Sequence, residues 1–310
     1  MERPEVVFFG SGPVAARSLE LLLEDFSVVA VVTKPKPAHH RGSFPVLDLA
    51  EAKNLPLFTV RDKHELSALI ARRLFRTEVA ILIDFGIIVT KDVIDHFPRG
   101  IINSHFSLLP EWRGADPITF AILSGQQKTG VSLMLLVEAM DEGPIIGCGV
   151  QPLDGTETTP LLTDRLINLS HSLLKHDVPR YLAGETQGAP QEKLAELIPD
   201  HPSEPSYSRK LTKQDGELDF RKSAEVLERE VRAFTEWPKS HTKLANIDVI
   251  ITSASTASLQ GNEGDIRIQD KRLFVCCAQD ALEIHVLKPA GKQAMTAGAF
   301  IAGYKNRLVV

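Results

Sequence analysis

Val6-Val7-Phe8-Phe9 reads as a short buried strand, Gly10-Ser11-Gly12-Pro13 as a tight turn, and residues 14–23 as a helix by their apolar spacing. Residues 28–33 form a second, β-branched strand, and 80–84 and 100–103 read as two more. Residues 46–53 and 65–75 predict crossover helices, 130–137 a further strand, and Thr159–Leu182 a long helix. Continuous apolar strands that alternate with helices have few ways to bury both sheet faces. The pattern points to an α/β fold with a mostly parallel sheet covered on both sides.

From 182 to 205 the composition shifts to Gly, Pro, Gln and Glu, as a linker would. Beyond it, 223–233 predicts a helix with i,i+4 charge partners. Short alternating runs follow at 248–252, 265–269, 273–277 and 281–287, with Gly and Asp between them, which suits a small antiparallel barrel. The expected division is 1–184, a linker over 185–206, and a C-terminal domain over 207–310, in keeping with 310 residues. Residues 207–310 carry 16 Lys+Arg against 13 Asp+Glu, a net of +3, within a chain of formal net charge −5. The chain as a whole is therefore not a basic nucleic-acid binder, but a local basic face is allowed.

Three cysteines, Cys148, Cys276 and Cys277, make no disulfide framework and no paired metal motif, so a reducing compartment without structural zinc is expected. No apolar run approaches the ~18 residues of a membrane span. Residues 1–5 lead straight into an apolar strand without a signal-like segment, so the expected location is the cytosol.

Strand, glycine turn and helix can cradle phosphate on helix amides. The Gly10–Pro13 turn lacks the third glycine of the dinucleotide fingerprint, and Pro13 removes an amide. It reads either as a plain first βα turn or as a nicotinamide-cofactor site.

Asn103-Ser104-His105 ends a strand, and residues two apart face the same way. Asn103 and His105 therefore project together from the carboxyl end, where open α/β sheets place ligands. An amide donor beside an imidazole suits acyl transfer, because both can hydrogen-bond a developing oxyanion. Read singly, Asn103 reads rather as a turn residue and His105 as a satisfied core histidine. Asp141 sits in the Asp141-Glu142-Gly143-Pro144 turn, where a carboxylate could orient His105 and favour its charged ring, or merely cap the turn.

Taken together, Asn103-x-His105, Ser107-Leu108-Leu109-Pro110 and Asp141, 38 residues after Asn103, resemble the catalytic signature of the 10-formyltetrahydrofolate-dependent formyltransferases. Trp112-Arg113-Gly114-Ala115-x-Pro117-Ile118 and Thr129-Gly130-Val131-Ser132 are most similar to the methionyl-tRNA formyltransferases within that family. So are Tyr207-x-x-Lys210-Leu211, Arg232-Ala233-Phe234-x-x-Trp237-Pro238 and Leu287-x-Pro289-Ala290-Gly291-Lys292-x-x-Met295. The resemblance runs over nearly the whole chain. It implies a Rossmann-like formyltransferase domain that binds a formyl-folate rather than a dinucleotide, followed by a small OB-like β-barrel that helps hold tRNA.

The resemblance also implies roles. Asn103 and His105 would stabilise the oxyanion, and Asp141 would hold His105 and help accept the amine's proton. Folate-pocket residues would be Phe85, Gly86, Ile88, Ser107, Leu108, Leu109 and Pro110, with backbone groups reading the pterin edge. Initiator methionyl-tRNA would meet Lys36, Arg41 and Gly42 in the loop after Thr33, and Arg209, Lys210 and Lys213 beyond the linker. No metal is expected, and the expected state is a monomer. The chain departs from the family pattern at Lys34-Pro35-Lys36, at Ser43-Phe44, at Asp84-Phe85-Gly86 and at Val89-Thr90. Two other readings share the same residues: transfer to a nucleotide-sugar amine, and an RNA-binding protein that has lost transfer activity.

Overall fold

The computed structural model of the chain describes residues 3–37, 42–198 and 200–308. Its first half runs β1 (Glu5–Phe9), α1 (Pro13–Asp25), β2 (Ser27–Thr33), α2 (Pro45–Ala52), β3 (Leu57–Thr59), α3 (Lys63–Ala71), β4 (Val79–Leu82), α4 (Lys91–Ile94) and β5 (Ile101–His105). It continues with β6 (Arg113–Gly114), α5 (Pro117–Ser124), β7 (Lys128–Leu135), β8 (Ile145–Pro152), α6 (Thr159–Leu182), α7 (Leu194–Leu197) and β9 (Tyr207–Ser208). The rest is α8 (Ala224–Ala233), β10 (His241–Leu244), β11 (Ile247–Ala257), β12 (Ile266–Gln269), β13 (Arg272–Cys276), β14 (Ala281–Pro289), β15 (Met295–Thr296) and α9 (Ala297–Leu308).

Two compact units emerge. The first comprises Met1–Ala115, Lys128–Pro152 and Thr163–Ser208. The second comprises Asp116–Gln127, Leu153–Leu162 and Arg209–Val310, so the units are interleaved in sequence.

The first unit is built on a sheet of order β3-β2-β1-β4-β5-β7-β8 among the described residues. β2 and β3, β1 and β2, β1 and β4, and β4 and β5 pair in parallel, while β7 and β8 add antiparallel edges. The helix α1 starts where Pro13 takes the first helical position, which needs no amide. Asp62 caps α3 by accepting from the His64 and Glu65 amides. β1 and β4 are buried throughout their apolar residues, as a sheet covered on both faces requires. Below the carboxyl end, Phe9 meets Phe85 and Phe97 edge-on at 5.5 and 6.0 Å.

The sequence reading misses β8, whose apolar run is broken by Gly147-Cys148-Gly149. Those glycines are packing features. A Cβ on Gly147 would lie 2.2 Å from Asp177 Oδ2, and one on Gly149 2.9 Å from Leu169 Cδ1, both on α6. Glycine here lets the long helix lie directly on the strand. The expected linker is also more structured than its composition implies. It holds a 3-10 turn over Gln191–Lys193, then α7 and β9.

The second unit carries the OB-like sheet, in the order β10-β11-β14-β13-β12 with β15 beside β14, all antiparallel among the described residues. Register shifts at Ile251/Ser253 and Ser253/Ala254 bend the long strand β11, as such irregularities do. Its core joins α8, the sheet and α9 through residues such as Leu227, Val249, Ile284 and Phe300.

Candidate active site

Strand β5 lies where the sheet changes from parallel to antiparallel pairing, between β4 and β7. Its period of two separates its side chains as the sequence predicts. Ser104 Oγ turns to Ser170 Oγ of α6 at 2.6 Å, while Asn103 and His105 project from the other face. Both are nearly buried, at 8 % and 7 % exposure.

Asp141 reaches them across 38 residues of chain. Asn103 Nδ2 donates to Asp141 Oδ1 at 3.4 Å. Asp141 Oδ2 accepts from the Gly114 amide at 2.8 Å and stands 3.8 Å from His105 Nδ1. The other ring nitrogen, Nε2, is 3.0 Å from the Trp112 carbonyl. A carbonyl only accepts, so Nε2 carries the hydrogen and Nδ1 is the ring atom turned to Asp141. The three residues therefore form one cluster: an amide, a ring and a carboxylate, with two backbone groups fixing the ring and the carboxylate.

That cluster depends on unusual backbone. Asp141 and Trp112 have φ of 54°, and Gly114 has φ of 105°. A Cβ on Gly114 would lie 2.5 Å from the Ser208 carbonyl, and one on Gly143 1.8 Å from the Leu135 carbonyl. The loop over 107–114 is held from below. Ser132 Oγ donates to the Ser107 carbonyl and accepts from the Leu109 amide, at 2.9 and 3.0 Å. The Leu109–Pro110 peptide is cis.

Residues 5–178 match the Formyl transferase family, and residues 210–305 match the Formyl transferase C-terminal domain. The chain belongs to the formyl transferase family. The "Methionyl-tRNA formyltransferase" of Myxococcus xanthus is 33% identical over 98% of this chain and 96% of its own length. That of Chloroflexus aurantiacus is 35% identical over 96% of each chain. Among solved structures, the N-formyltransferase of Helicobacter canadensis with folinic acid and dTDP-3-aminofucose has a TM-score of 0.67 at 17% identity, covering 95% of this chain and 100% of that one. HypX from Aquifex aeolicus with tetrahydrofolic acid has a TM-score of 0.64 at 14% identity, covering 98% of this chain and 48% of that one. These two show likeness of fold.

In this formyl transferase the other expected site residues fall into distinct settings. The side chains of Phe85, Leu108 and Leu109 are core, at 1 %, 1 % and 0 % exposure, and Ser107 is buried with its hydroxyl on the Glu111 carbonyl. Pro110 is buried too. Gly86 and Ile88 are exposed, Ile88 at 73 %, and Met140 beside Asp141 is exposed at 70 %.

Among the residues expected to meet tRNA, Lys36, Gly42, Lys210 and Lys213 are exposed. Arg41, with His39 and His40, lies outside the described residues. The Arg209 guanidinium is engaged by Asp215, and that pairing holds the Asp215 carboxyl well below the usual carboxylate range. At the first βα turn, a Cβ on Gly12 would lie 1.9 Å from Asp84 Oδ2. The Asp84 carboxylate thus packs on the N-terminus of α1, where a dinucleotide phosphate would otherwise sit. That disfavours the nicotinamide reading.

The sequence reading also misses four neighbours of the cluster. Ser206 Oγ accepts from the Trp112 amide at 3.0 Å, and its carbonyl accepts from the Arg113 amide at 2.9 Å. Ser208 Oγ donates to the Trp112 and Arg113 carbonyls, each at 3.3 Å. His201 Nε2 is 2.7 Å from the Leu109 carbonyl, and Gln191 bonds the turn of Asp141. All four lie in or beside the Gly, Pro, Gln and Glu-rich stretch, where no periodicity marks a buried residue.

Among the described residues no helix is long and apolar enough to cross a membrane.

Proposed function

We propose that the chain transfers the formyl group of 10-formyltetrahydrofolate to the α-amino group of methionine on initiator methionyl-tRNA, as a cytosolic monomer. The cluster of Asn103, His105 and Asp141 carries this reading. Matches to methionyl-tRNA formyltransferases over nearly the full length support the acceptor, because they run through both compact units.

The amine nitrogen attacks the formyl carbon, and the carbonyl electron pair moves onto oxygen. Asn103 keeps one N–H on Asp141 and offers the other to that oxygen. His105 is fixed through Nε2 on the Trp112 carbonyl, which leaves Nδ1, the ring atom beside Asp141, as the proposed second group facing the same charge. Asp141, held by the Gly114 amide, takes the proton that the amine sheds as it attacks. When the bond from carbon to the folate nitrogen breaks, its electron pair returns to that nitrogen, which takes the proton held by Asp141. Backbone groups of 85–89 and 107–110 border the folate. Lys36, Arg41, Gly42, Arg209, Lys210 and Lys213 are the proposed tRNA contacts.

The test is formyl transfer from 10-formyltetrahydrofolate to charged initiator methionyl-tRNA, with His105→Ala alongside. Transfer that falls about 10²–10³-fold in the variant is the expected result. Transfer to a nucleotide-sugar amine instead, or tRNA binding without transfer, would replace this reading.

A further inference from the structure

Gln191 belongs to the stretch that composition marks as linker, yet it is only 2 % exposed. It opens the 3-10 turn after Pro190. Just before it, Ala189 and Ile145 exchange two backbone hydrogen bonds of 2.8 Å, which tie this segment to the start of β8. The tie delivers the Gln191 side chain to the turn between β7 and β8.

There the side chain uses both ends. Nε2 donates to the Asp141 carbonyl at 2.8 Å and to the Gly143 carbonyl at 2.9 Å. Oε1 accepts from Arg113 Nη2 at 2.8 Å. Two carbonyls and a guanidinium leave only one orientation of the amide possible. Arg113 Nη1 donates to Glu142 Oε1 at 3.1 Å, closing a ring on the same turn. One buried side chain thus joins the loop holding the Trp112 carbonyl and Gly114 amide to the turn holding Asp141. Asp141 needs such support, since its φ of 54° is a conformation that a non-glycine residue adopts at a cost.

We infer that Gln191 is a positioning residue for formyl transfer, locking the Asp141–Gly143 turn at its distance from His105 and Asn103. The inference rests on the reaction proposed above. It assigns Gln191 no contact with either substrate. Misplacing a reacting group by ~1 Å can cost ~10²-fold in rate, so the lock acts on turnover rather than on binding.

Two variants separate the lock from general packing. Gln191→Met keeps the length and removes every polar contact. Gln191→Glu keeps an acceptor for Arg113 and turns a carboxylate on the two carbonyls. Both are expected to lower kcat about 10–100-fold, with KM for folate and tRNA within about twofold. In an Asp141→Asn background Gln191→Met should cost nothing further, because no carboxylate remains to be positioned. Amide hydrogen exchange on the whole chain should rise over 111–115 and 139–144 and stay unchanged elsewhere.

Unchanged kcat in both variants would overturn the inference, as would an equal loss with and without Asp141. Exchange that is unchanged, or raised throughout the chain, would do the same. Should the unaltered chain fail to formylate methionyl-tRNA, the reaction is wrong, and the exchange pattern alone still decides whether Gln191 holds the turn.

Discussion

At the scale of single residues, Asn103 and His105 are legible from the strand period alone. Alternation sends Ser104 to α6 and its two neighbours to the opposite face. The approach of Asp141 does not follow from that period: its residue type reads as either an orienter of His105 or a turn cap, and the family resemblance singles it out, because the approach depends on local backbone at Gly114 and Gly143 that no side-chain pattern encodes. Gly114 is the clearest case. Its φ of 105° excludes ordinary L residues, and an added Cβ would lie 2.5 Å from a backbone carbonyl that cannot swing aside. Its amide also holds Asp141 Oδ2 at 2.8 Å. Gly114→Ala is therefore expected to shift that amide and lower kcat by about tenfold or more. Steady-state kinetics on a variant that still melts cooperatively checks this. Full activity would mean that the carboxylate needs no support from Gly114.

At the scale of elements, the parallel strands read cleanly because burial on two faces leaves an unbroken apolar signal, and Thr159–Leu182 because its buried apolar residues, such as Leu162, Leu166, Leu174 and Val178, recur at helical spacing. β8 is hidden by glycines that serve helix packing, and the 189–208 stretch is hidden because its contacts are polar. His201 shows what that polar stretch holds. The ring is 7 % exposed, and its Nε2–H donates to the Leu109 carbonyl at 2.7 Å. Burial keeps its pKa below the ordinary 6.5, with the Leu109 bond opposing and Lys128 adding to the depression. In the unfolded chain the ring gains its proton near the ordinary value, while the folded chain takes it up only at lower pH. Stability from this neutral ring is thus complete above about pH 6.5 and falls as pH drops from there toward the folded value. The native chain should lose a few degrees more in Tm between about pH 7.5 and pH 5.5 than His201→Gln does. Calorimetry at matched ionic strength checks it, and equal slopes would remove His201 as the source.

At the scale of the whole molecule, a single cut near 206 looks natural in sequence, since composition and net charge both change there. The compact units interleave across that cut. The C-terminal unit takes α5 and residues 153–162 from the first half of the chain. Arg229 of α8 donates to the Leu123 carbonyl at 3.2 Å, and Arg232 to the Glu157 carbonyl at 2.8 Å. Thr159 Oγ1 donates to the Ala233 carbonyl at 2.6 Å, so both arginines and the end of α8 are satisfied by segments far back in sequence. Arg229 also lies against Gly125, where a Cβ would stand 3.0 Å from its guanidinium. A 207–310 fragment would keep the sheet and lose these acceptors, leaving guanidinium groups that are 17 % and 15 % exposed in the intact unit to find water instead. The fragment should therefore melt at least several degrees below the C-terminal unit of the full chain, with weaker exchange protection along α8 than along β11 and β14. A fragment that melts with the full chain, and protects α8 equally, would show that the sheet alone sustains the unit and that the interleaved segments are accessory.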